Sequence, residues 1–309
     1  MITAWAQLRR ALLARPALLL PLPPLLWASN IVLGRALGGT FPPATLASGR
    51  WLVALLALLP FVKVRLRAQA PLLRRHGSLV VACGVFGIAG YSALGYAALH
   101  AITADEGAFL NSVLPLIVPL LAWVLLGERI GPGRWLGILI SFAGVAWIIS
   151  EGRPAALAAG LTISWGGLLM LIGVGNYALY SVLLRRRPDG LDPLVFLAAV
   201  IAVGLLVLVP FSVRELVGGA RVPLNTASLG IVLYTGLFVS LLAYAIWNHC
   251  VAALGAAVAG VSYHLVAVFT PLLAYAMLGE RLSVSQVLGI GLILAGLTVA
   301  TRSTGSKAL

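Results

Sequence analysis

Ten long apolar segments constrain the possible folds of this chain more than any other feature of its sequence. A helix that crosses a lipid bilayer needs about 20 apolar residues, and only helices and closed barrels satisfy all backbone polar groups in lipid. A barrel would show alternating polarity over short segments, whereas these segments are apolar on every side. The sequence therefore predicts an all-α membrane protein. Its ten transmembrane helices are expected at residues 17–37, 43–62, 77–99, 103–126, 133–150, 163–184, 191–211, 227–251, 255–279 and 284–301.

The composition agrees with lipid as the solvent of this chain. Hydrophobic residues make up 61% of the 309 residues and charged residues only 9%, whereas a soluble protein carries about 25% charged residues. Cys83 and Cys250 lie inside predicted spans. They are typical of small buried apolar residues and give no indication of the redox compartment.

The net charge of +13 predicts membrane orientation, and a nucleic-acid partner is not expected. Most basic residues precede the first span, follow spans 2, 4 and 6, or lie in the C-terminal tail. Because positively charged connections remain in the cytoplasm, both termini are expected there. The basic residues on this side are Arg9, Arg10, Arg15, Lys63, Arg65, Arg67, Arg74, Arg75, Arg129, Arg134, Arg185, Arg186, Arg187, Arg302 and Lys307.

An internal repeat divides the chain into two five-helix units. "PLLAWVLLGER" at Pro119–Arg129 returns as "PLLAYAMLGER" at Pro271–Arg281, and other positions align at nearly the same spacing. The sequence predicts a first repeat at residues 1–150, a linker at 151–162 and a second repeat at 163–309. Further aligned pairs are Trp27 with Tyr177, Arg35 with Arg185, Pro43 with Pro193, Asn111 with Tyr263, Gly137 with Gly289 and Gly144 with Gly296.

The odd number of helices in each repeat determines how the two repeats are oriented. After five spans the chain is on the other side of the membrane from where it began. The second repeat therefore crosses the membrane in the opposite sense to the first. Inverted repeats are typical of secondary transporters, whose substrate site lies near the membrane midplane between the repeats and opens alternately to each side. Because both repeats belong to one chain, a monomer is expected to be functional.

The repeated motif also carries a resemblance to a known family. "PLLAWVLLGER…W.GI…AGV" and "PLLAYAMLGER…LGI…AGL" each resemble the EamA-type domain of the drug/metabolite transporter superfamily. This resemblance implies a ten-helix exporter of small metabolites, often amino acids, in the bacterial inner membrane. Ala243–Asn248, and the pairing of Asn111 with Pro115, are similar to exporters of aromatic and hydrophobic amino acids. The superfamily also exports drugs, sugars and nucleotide derivatives, so these substrates remain alternatives.

Aromatic, amide and imidazole side chains inside the spans are the candidate substrate-binding residues. Amides in hydrocarbon need partners, so these groups should face a cavity or form hydrogen bonds between helices. Ring faces can stack on an apolar substrate group and attract an ammonium, which suits an amphipathic zwitterion. The candidates are Trp27, Asn30, Tyr91, Asn111, Tyr177, Tyr180, Tyr244, Trp247, Tyr263 and His264. His264 titrates near neutral pH and is either a proton carrier or a core histidine.

Charged residues near the outer span ends form a possible gate. Arg35 and Arg50 could pair with Asp105 or Glu106 in an outer gate, or attract a carboxylate. Alternatively, both arginines extend to the lipid headgroups. The Glu–Arg pairs of the repeated motif lie at span ends, and we expect them to fix the following helix rather than to contact substrate.

The sequence argues against an enzyme. Its eight acidic residues lie at span ends or in connections, so no carboxylate pair is expected at mid-membrane. The chain contains neither a P-loop nor an H-E-x-x-H motif, and no cofactor or metal is expected. The expected partners are a small-molecule substrate and the bilayer. A channel-like facilitator and an intramembrane enzyme remain the alternatives from other classes.

Overall fold

The computed structural model describes residues 14–36, 41–99, 101–102, 104–153, 164–223 and 225–302. These residues form ten helices that are long and apolar enough to cross a membrane, and they contain no strand. The all-helical fold with ten spans is therefore confirmed. The spans are α1 (Pro16–Leu33), α2 (Pro43–Arg75), α3 (Gly77–Gly95), α4 (Gly107–Leu126), α5 (Pro132–Ile149), α6 (Trp165–Arg186), α7 (Pro193–Val217), α8 (Thr226–Leu254), α9 (Ala256–Leu278) and α10 (Val284–Arg302).

The glycines of the repeated motif end two equivalent helices. Gly127 follows α4 and Gly279 follows α9, with φ values of 71° and 70°. These angles lie in the left-handed region, which glycine adopts without steric cost and which commonly ends a helix. The repetition of this glycine thus has a local structural cause.

Helix α2 is longer than the sequence predicts. The predicted span ended at residue 62, and the basic residues that follow were expected in a connection, but the helix continues to Arg75. Arg, Leu, Ala and Gln are good helix formers, and this extension has tertiary partners. Arg65 forms an ion pair with Asp192, and Gln69 donates a hydrogen bond to Gly190 O and accepts one from the Asp192 amide. The extension therefore holds the turn that leads into α7.

Helices α5 and α10 occupy equivalent positions in the two repeats and pack against each other in antiparallel directions. A Cβ atom at Gly137 would meet Gly296 and Ala300, and one at Gly144 would meet Gly289 and Ile293. Residues further along α5 contact residues earlier in α10, so the two helices run in opposite directions. Small residues let their backbones approach closely. This arrangement is what inverted repeats require.

Helices α2 and α7 form a second antiparallel pair of equivalent helices. At one end, the Glu215 carboxylate accepts hydrogen bonds from the amides of Ala44 and Thr45 at 3.2 and 2.8 Å and from Thr45 Oγ1 at 2.7 Å. Ser48 and Ser212 share a hydrogen bond of 2.6 Å further along the pair. Because the first amides of a helix have no intrahelical partner, Glu215 stabilises the N-terminus of α2.

We expect Glu215→Ala to lower the stability of the folded protein by about 1–3 kcal/mol, because three donors at the start of α2 lose their acceptor. Thermal unfolding in detergent micelles measures the effect. Glu151→Ala is the matched control, since Glu151 is exposed and its side chain makes no hydrogen bond to the residues that the structure describes. Equal melting temperatures for the two variants would contradict the capping role of Glu215.

Candidate functional site

Eight aromatic side chains from six helices meet in one cluster between the two repeats. Its centre is Tyr177 on α6, whose ring lies 5.2–5.9 Å, centroid to centroid, from five other rings. Helix α6 also contributes Tyr180, and helices α1, α2, α3, α8 and α9 contribute the remaining six members. This aromatic cluster consists of Trp27, Trp51, Tyr91, Tyr177, Tyr180, Tyr244, Trp247 and Tyr263.

Trp27 connects the first repeat to the second within the aromatic cluster. Its ring centroid lies 5.3 Å from Trp247, 5.5 Å from Tyr263 and 5.8 Å from Tyr177. These separations are typical of interacting aromatic pairs. All three neighbours belong to the second repeat, so Trp27 makes these ring contacts across the boundary between the repeats. The rings in this structure pack directly against one another.

Two equivalent helices are interrupted at the depth of the aromatic cluster. In α4, the amides of Val113 and Leu116 bond to carbonyls three residues earlier, and in α9 those of His264 and Val266 do the same. These tighter turns separate Leu114–Leu126 and Leu265–Leu278 from the helices before them. Pro115 contributes to the first interruption because it has no amide hydrogen. The two interruptions lie at matching positions of the repeats.

Helices α3 and α8 each contain a π-helical segment close before a tyrosine of the aromatic cluster. Gly84–Gly90 directly precedes Tyr91, and Thr235–Leu242 ends two residues before Tyr244. A π-helical turn rotates the residues that follow it relative to an ideal α-helix, and such turns are frequent at functional sites. The four helices with irregular geometry therefore surround the same cluster.

The amide side chains near the cluster bind the tyrosine hydroxyls. Tyr91 donates a hydrogen bond of 3.0 Å to Asn111 Oδ1, and the Asn111 amide donates to Gly107 O at 3.0 Å. On the opposite side, Tyr180 donates to Asn248 Oδ1 at 2.8 Å. The two hydrogen bonds from the tyrosine hydroxyls join different helices, as the interhelical interpretation of Asn111 predicts.

His264 and Tyr177 retain polar atoms without a partner. His264 Nε2 lies 3.2 Å from Ser112 O, a carbonyl that loses its usual helical donor at the interruption of α4. Because a carbonyl only accepts, Nε2 carries the hydrogen and Nδ1 has the free lone pair. Within the described residues, His264 Nδ1 and the Tyr177 hydroxyl are buried and make no hydrogen bond. Leaving such groups unpaired costs about 1–3 kcal/mol each, so both are available to a polar ligand.

Not every candidate from the sequence joins the cluster. Asn30 is half-buried on α1, three residues after Trp27, and makes no hydrogen bond to the side chains that are described. The proposed gate is described only in part, because the side chains of Arg35, Asp105 and Glu106 lie outside the described residues. Arg50 is buried, with 6% of its surface exposed, and does not extend to the lipid headgroups as one interpretation predicted.

The sequence analysis misses Trp51 as a member of the site. This residue is fully buried on α2, and its ring centroid lies 4.7 Å from that of Tyr244. Its indole donates to Ser92 Oγ at 3.4 Å. An interior position within an apolar span is the only signal that the sequence offers for Trp51.

Glu128 of the repeated motif links two helices at one end of the molecule. Its carboxylate lies 3.2 Å from Arg185 at the end of α6, and Arg185 also donates to Ala252 O of α8 at 2.7 Å. Arg186 donates to Leu125 O of α4 at 2.8 Å. The sequence predicts that the Glu–Arg pair fixes the following helix, but Glu128 instead pairs with a distant arginine. Helices α4, α6 and α8 are thereby held together at this end.

A small pocket lies at the same end, between α6, α7 and α8. Arg187, Asn248 and His249 contribute its polar lining. Asn248 also accepts the hydrogen bond from Tyr180, so the pocket ends beside the aromatic cluster. The described residues contain no group of three His, Cys, Asp or Glu side chains that could hold a metal ion.

Ten spans, antiparallel equivalent helices and a cluster between the repeats define a membrane transporter built from two repeated halves. The chain belongs to the EamA-like transporter family, whose model matches residues 15–150 and 164–302. It is a multi-pass membrane transporter with a small-molecule substrate and is not an enzyme.

Several known proteins are similar to this chain. The "Uncharacterized transporter YyaM" of Bacillus subtilis (strain 168) is 29% identical over 269 residues, which cover 85% of this chain and 86% of that protein. The "Probable terminal-alkyne amino-acid exporter" of Streptantibioticus cattleyicolor is 28% identical over 227 residues, or 73% of each chain. A crystal structure with 21% sequence identity superimposes with a TM-score of 0.75 and covers 95% of this chain and 99% of its own. The last similarity supports the fold alone.

Proposed function

We propose that this protein exports amino acids with aromatic or hydrophobic side chains across the bacterial plasma membrane by alternating access. The observation that carries the proposal is the aromatic cluster between the repeats. Its Tyr177 hydroxyl is buried without a partner among the described residues, and so is Nδ1 of His264, the residue that follows Tyr263. The name of the Streptantibioticus cattleyicolor relative, an amino-acid exporter, supports the same substrate class. The protein is expected to work as a monomer, with both termini in the cytoplasm.

The chemistry of the cluster matches an amphipathic zwitterion. Its tyrosine and tryptophan rings offer faces for an apolar or aromatic side chain, and the same faces attract an ammonium group. Tyr177 and His264 offer a hydroxyl and a ring nitrogen to the polar end of the substrate. A sugar phosphate would instead favour several basic groups around one site.

Alternating access requires the closely packed rings to separate. The interrupted helices α4 and α9 and the π-helical segments of α3 and α8 surround the cluster, and such irregular backbone geometry permits bending. At the end held by Arg185 and Glu128, the ion pair must break for substrate to enter through the pocket beside Asn248. Orientation by positive charge assigns this end to the cytoplasm.

Transport in proteoliposomes tests the proposal. Radiolabelled phenylalanine, leucine, serine and glucose 6-phosphate are compared as single substrates and as competitors. We expect saturable phenylalanine and leucine flux, slower serine flux, and no glucose 6-phosphate flux above that of empty liposomes. Acceleration of labelled export by unlabelled substrate on the opposite side would identify a carrier, whereas flux without saturation or counter-exchange would indicate a channel-like facilitator. Preference for glucose 6-phosphate would contradict the proposed substrate class.

His264 is expected to couple proton movement to export, because its Nδ1 is buried without a partner among the described residues and the residue directly follows Tyr263 of the aromatic cluster. We expect an imposed pH gradient to change the export rate of the wild type several-fold and to have no effect on His264→Gln. The glutamine amide can still donate to Ser112 O, so His264→Gln should remain folded, while His264→Ala should lose about 1–3 kcal/mol of stability. An intact response to the gradient in His264→Gln would show that His264 is only a core histidine.

A further inference from the structure

We propose that Arg50 binds the carboxylate of the transported substrate, an inference that rests on the proposed function of the aromatic cluster. Arg50 lies on α2, seven residues after Pro43, and only 6% of its surface is exposed. A guanidinium group remains charged at every physiological pH. Placing this charge inside a membrane-spanning segment is costly and usually marks a functional site.

No described acidic side chain balances this charge. The ion pairs of Arg65 with Asp192 and of Arg185 with Glu128 lie away from Arg50. Glu215, near the start of α2, uses both carboxylate oxygens to bind Ala44 and Thr45. Within the described part of the chain, Arg50 Nε is buried and has no hydrogen-bond partner. Among the described residues, no anion therefore faces Arg50, and an anionic ligand can supply one.

Trp51 connects Arg50 to the aromatic cluster. The Arg50 Cζ atom lies 5.4 Å from the centre of the Trp51 ring, and the Trp51 ring lies 4.7 Å from that of Tyr244, centroid to centroid. One aromatic ring thus separates the guanidinium from a residue that touches Trp27 and Tyr177. An amino acid could place its carboxylate at Arg50 and its side chain among the cluster rings.

Helix α8 carries a second donor one turn from its contact with the Arg50 backbone. A Cβ atom at Gly236 would lie 2.9 Å from Arg50 O, so this part of α8 packs directly against Arg50. Ser240 follows one turn later, and its Oγ is buried without a partner among the described residues. A guanidinium binds a carboxylate with two parallel hydrogen bonds, and the Ser240 hydroxyl can donate a third. The substrate class is therefore a carboxylate with an apolar side chain.

Isothermal titration calorimetry tests the inference. It measures the affinities of phenylalanine and phenylalaninamide for the purified full-length protein in detergent. The amide retains the ring and the ammonium group but has no carboxylate. We expect the wild type to bind phenylalanine more tightly than phenylalaninamide. Arg50→Gln should weaken phenylalanine binding about 10-fold to 100-fold, as expected for a lost charge-assisted contact, and should change phenylalaninamide binding less than about 2-fold. Arg74→Gln, an exposed change on the same helix, should leave both affinities unaltered.

The outcomes separate the inference from the proposed function. If the wild type binds neither compound, the proposed function fails, and the inference that rests on it fails as well. If the wild type binds phenylalanine and Arg50→Gln weakens both compounds equally or neither, only the carboxylate role is overturned. Arg50→Lys keeps the charge and decides the question if Arg50→Gln does not fold: its preference for phenylalanine over the amide should persist at reduced strength. A preference for phenylalanine over the amide as strong in Arg50→Lys as in the wild type would show that Arg50 does not bind the carboxylate and serves another partner, such as Asp105 or Glu106.

Discussion

Gly296→Ala is expected to lower the stability of the folded protein by about 3 kcal/mol or more, one of the largest effects of any single methyl group in this chain. The added Cβ atom would lie 2.5 Å from both Gly137 O and Ser141 N on α5. These are backbone atoms, which cannot rotate away as a side chain can. Overpacking usually costs about 1–3 kcal/mol, and a rigid backbone neighbour places this site at the upper end. Thermal unfolding in detergent, together with the yield of monodisperse protein, measures the loss.

Gly291→Ala is the matched control for this prediction. Gly291 lies on the same helix, α10, and nothing lies within 4 Å of a Cβ atom added there. Alanine is favoured over glycine inside a helix by about 1 kcal/mol, so this variant should be as stable as the wild type or more stable. If both alanine variants changed stability in the same direction, the close packing of α5 against α10 would be wrong.

Trp27→Ala is expected to reduce the export of phenylalanine about 10-fold to 100-fold. Each aromatic pair contributes about 0.5–1.5 kcal/mol, and Trp27 contacts Tyr177, Trp247 and Tyr263 across the repeat boundary. The substitution therefore removes the indole from the proposed binding surface and weakens the contact between the repeats. Initial rates in proteoliposomes, normalised to the amount of folded protein, measure the effect. Trp247→Ala should give a loss of similar size.

Two further variants separate substrate binding from folding. Trp27→Phe keeps an aromatic ring and should restore much of the phenylalanine flux. Trp165→Ala removes an indole at the start of α6 that is 71% exposed, and it should leave the flux unchanged. Unaltered phenylalanine flux in folded Trp27→Ala and Trp247→Ala would eliminate the aromatic cluster as the substrate site.

Properties that depend on local sequence could be predicted from it. A span is visible because lipid demands a continuous apolar segment, and the two repeats are visible because sequences such as "PLLAWVLLGER" recur. Aromatic residues near the middle of a span could be identified as candidates, since depth follows from position along a helix. Seven of the eight rings in the aromatic cluster are named in this way, from Trp27 to Tyr263.

Properties that depend on tertiary contacts could not be predicted. The sequence gives no partner for Glu128, because Arg185 is 57 positions away. The extension of α2 to Arg75 depends on the contact between Arg65 and Asp192. Trp51 joins the cluster only because α2 packs against α8. The helix interruptions and the π-helical turns could not be predicted either. Each differs from an ideal α-helix only by a shift of the hydrogen-bond register, and packing against neighbouring helices determines where that shift occurs.

Cysteine labelling tests most directly the central claim that two oppositely oriented repeats enclose one site. Arg129→Cys and Arg281→Cys place a thiol at the exposed motif of each repeat, in a background where the buried Cys83 and Cys250 are replaced by alanine. In intact cells, a membrane-impermeant maleimide should label position 281 and reach position 129 only after the membrane is opened. Labelling of both positions from the same side would contradict the inverted arrangement and the alternating-access mechanism that depends on it.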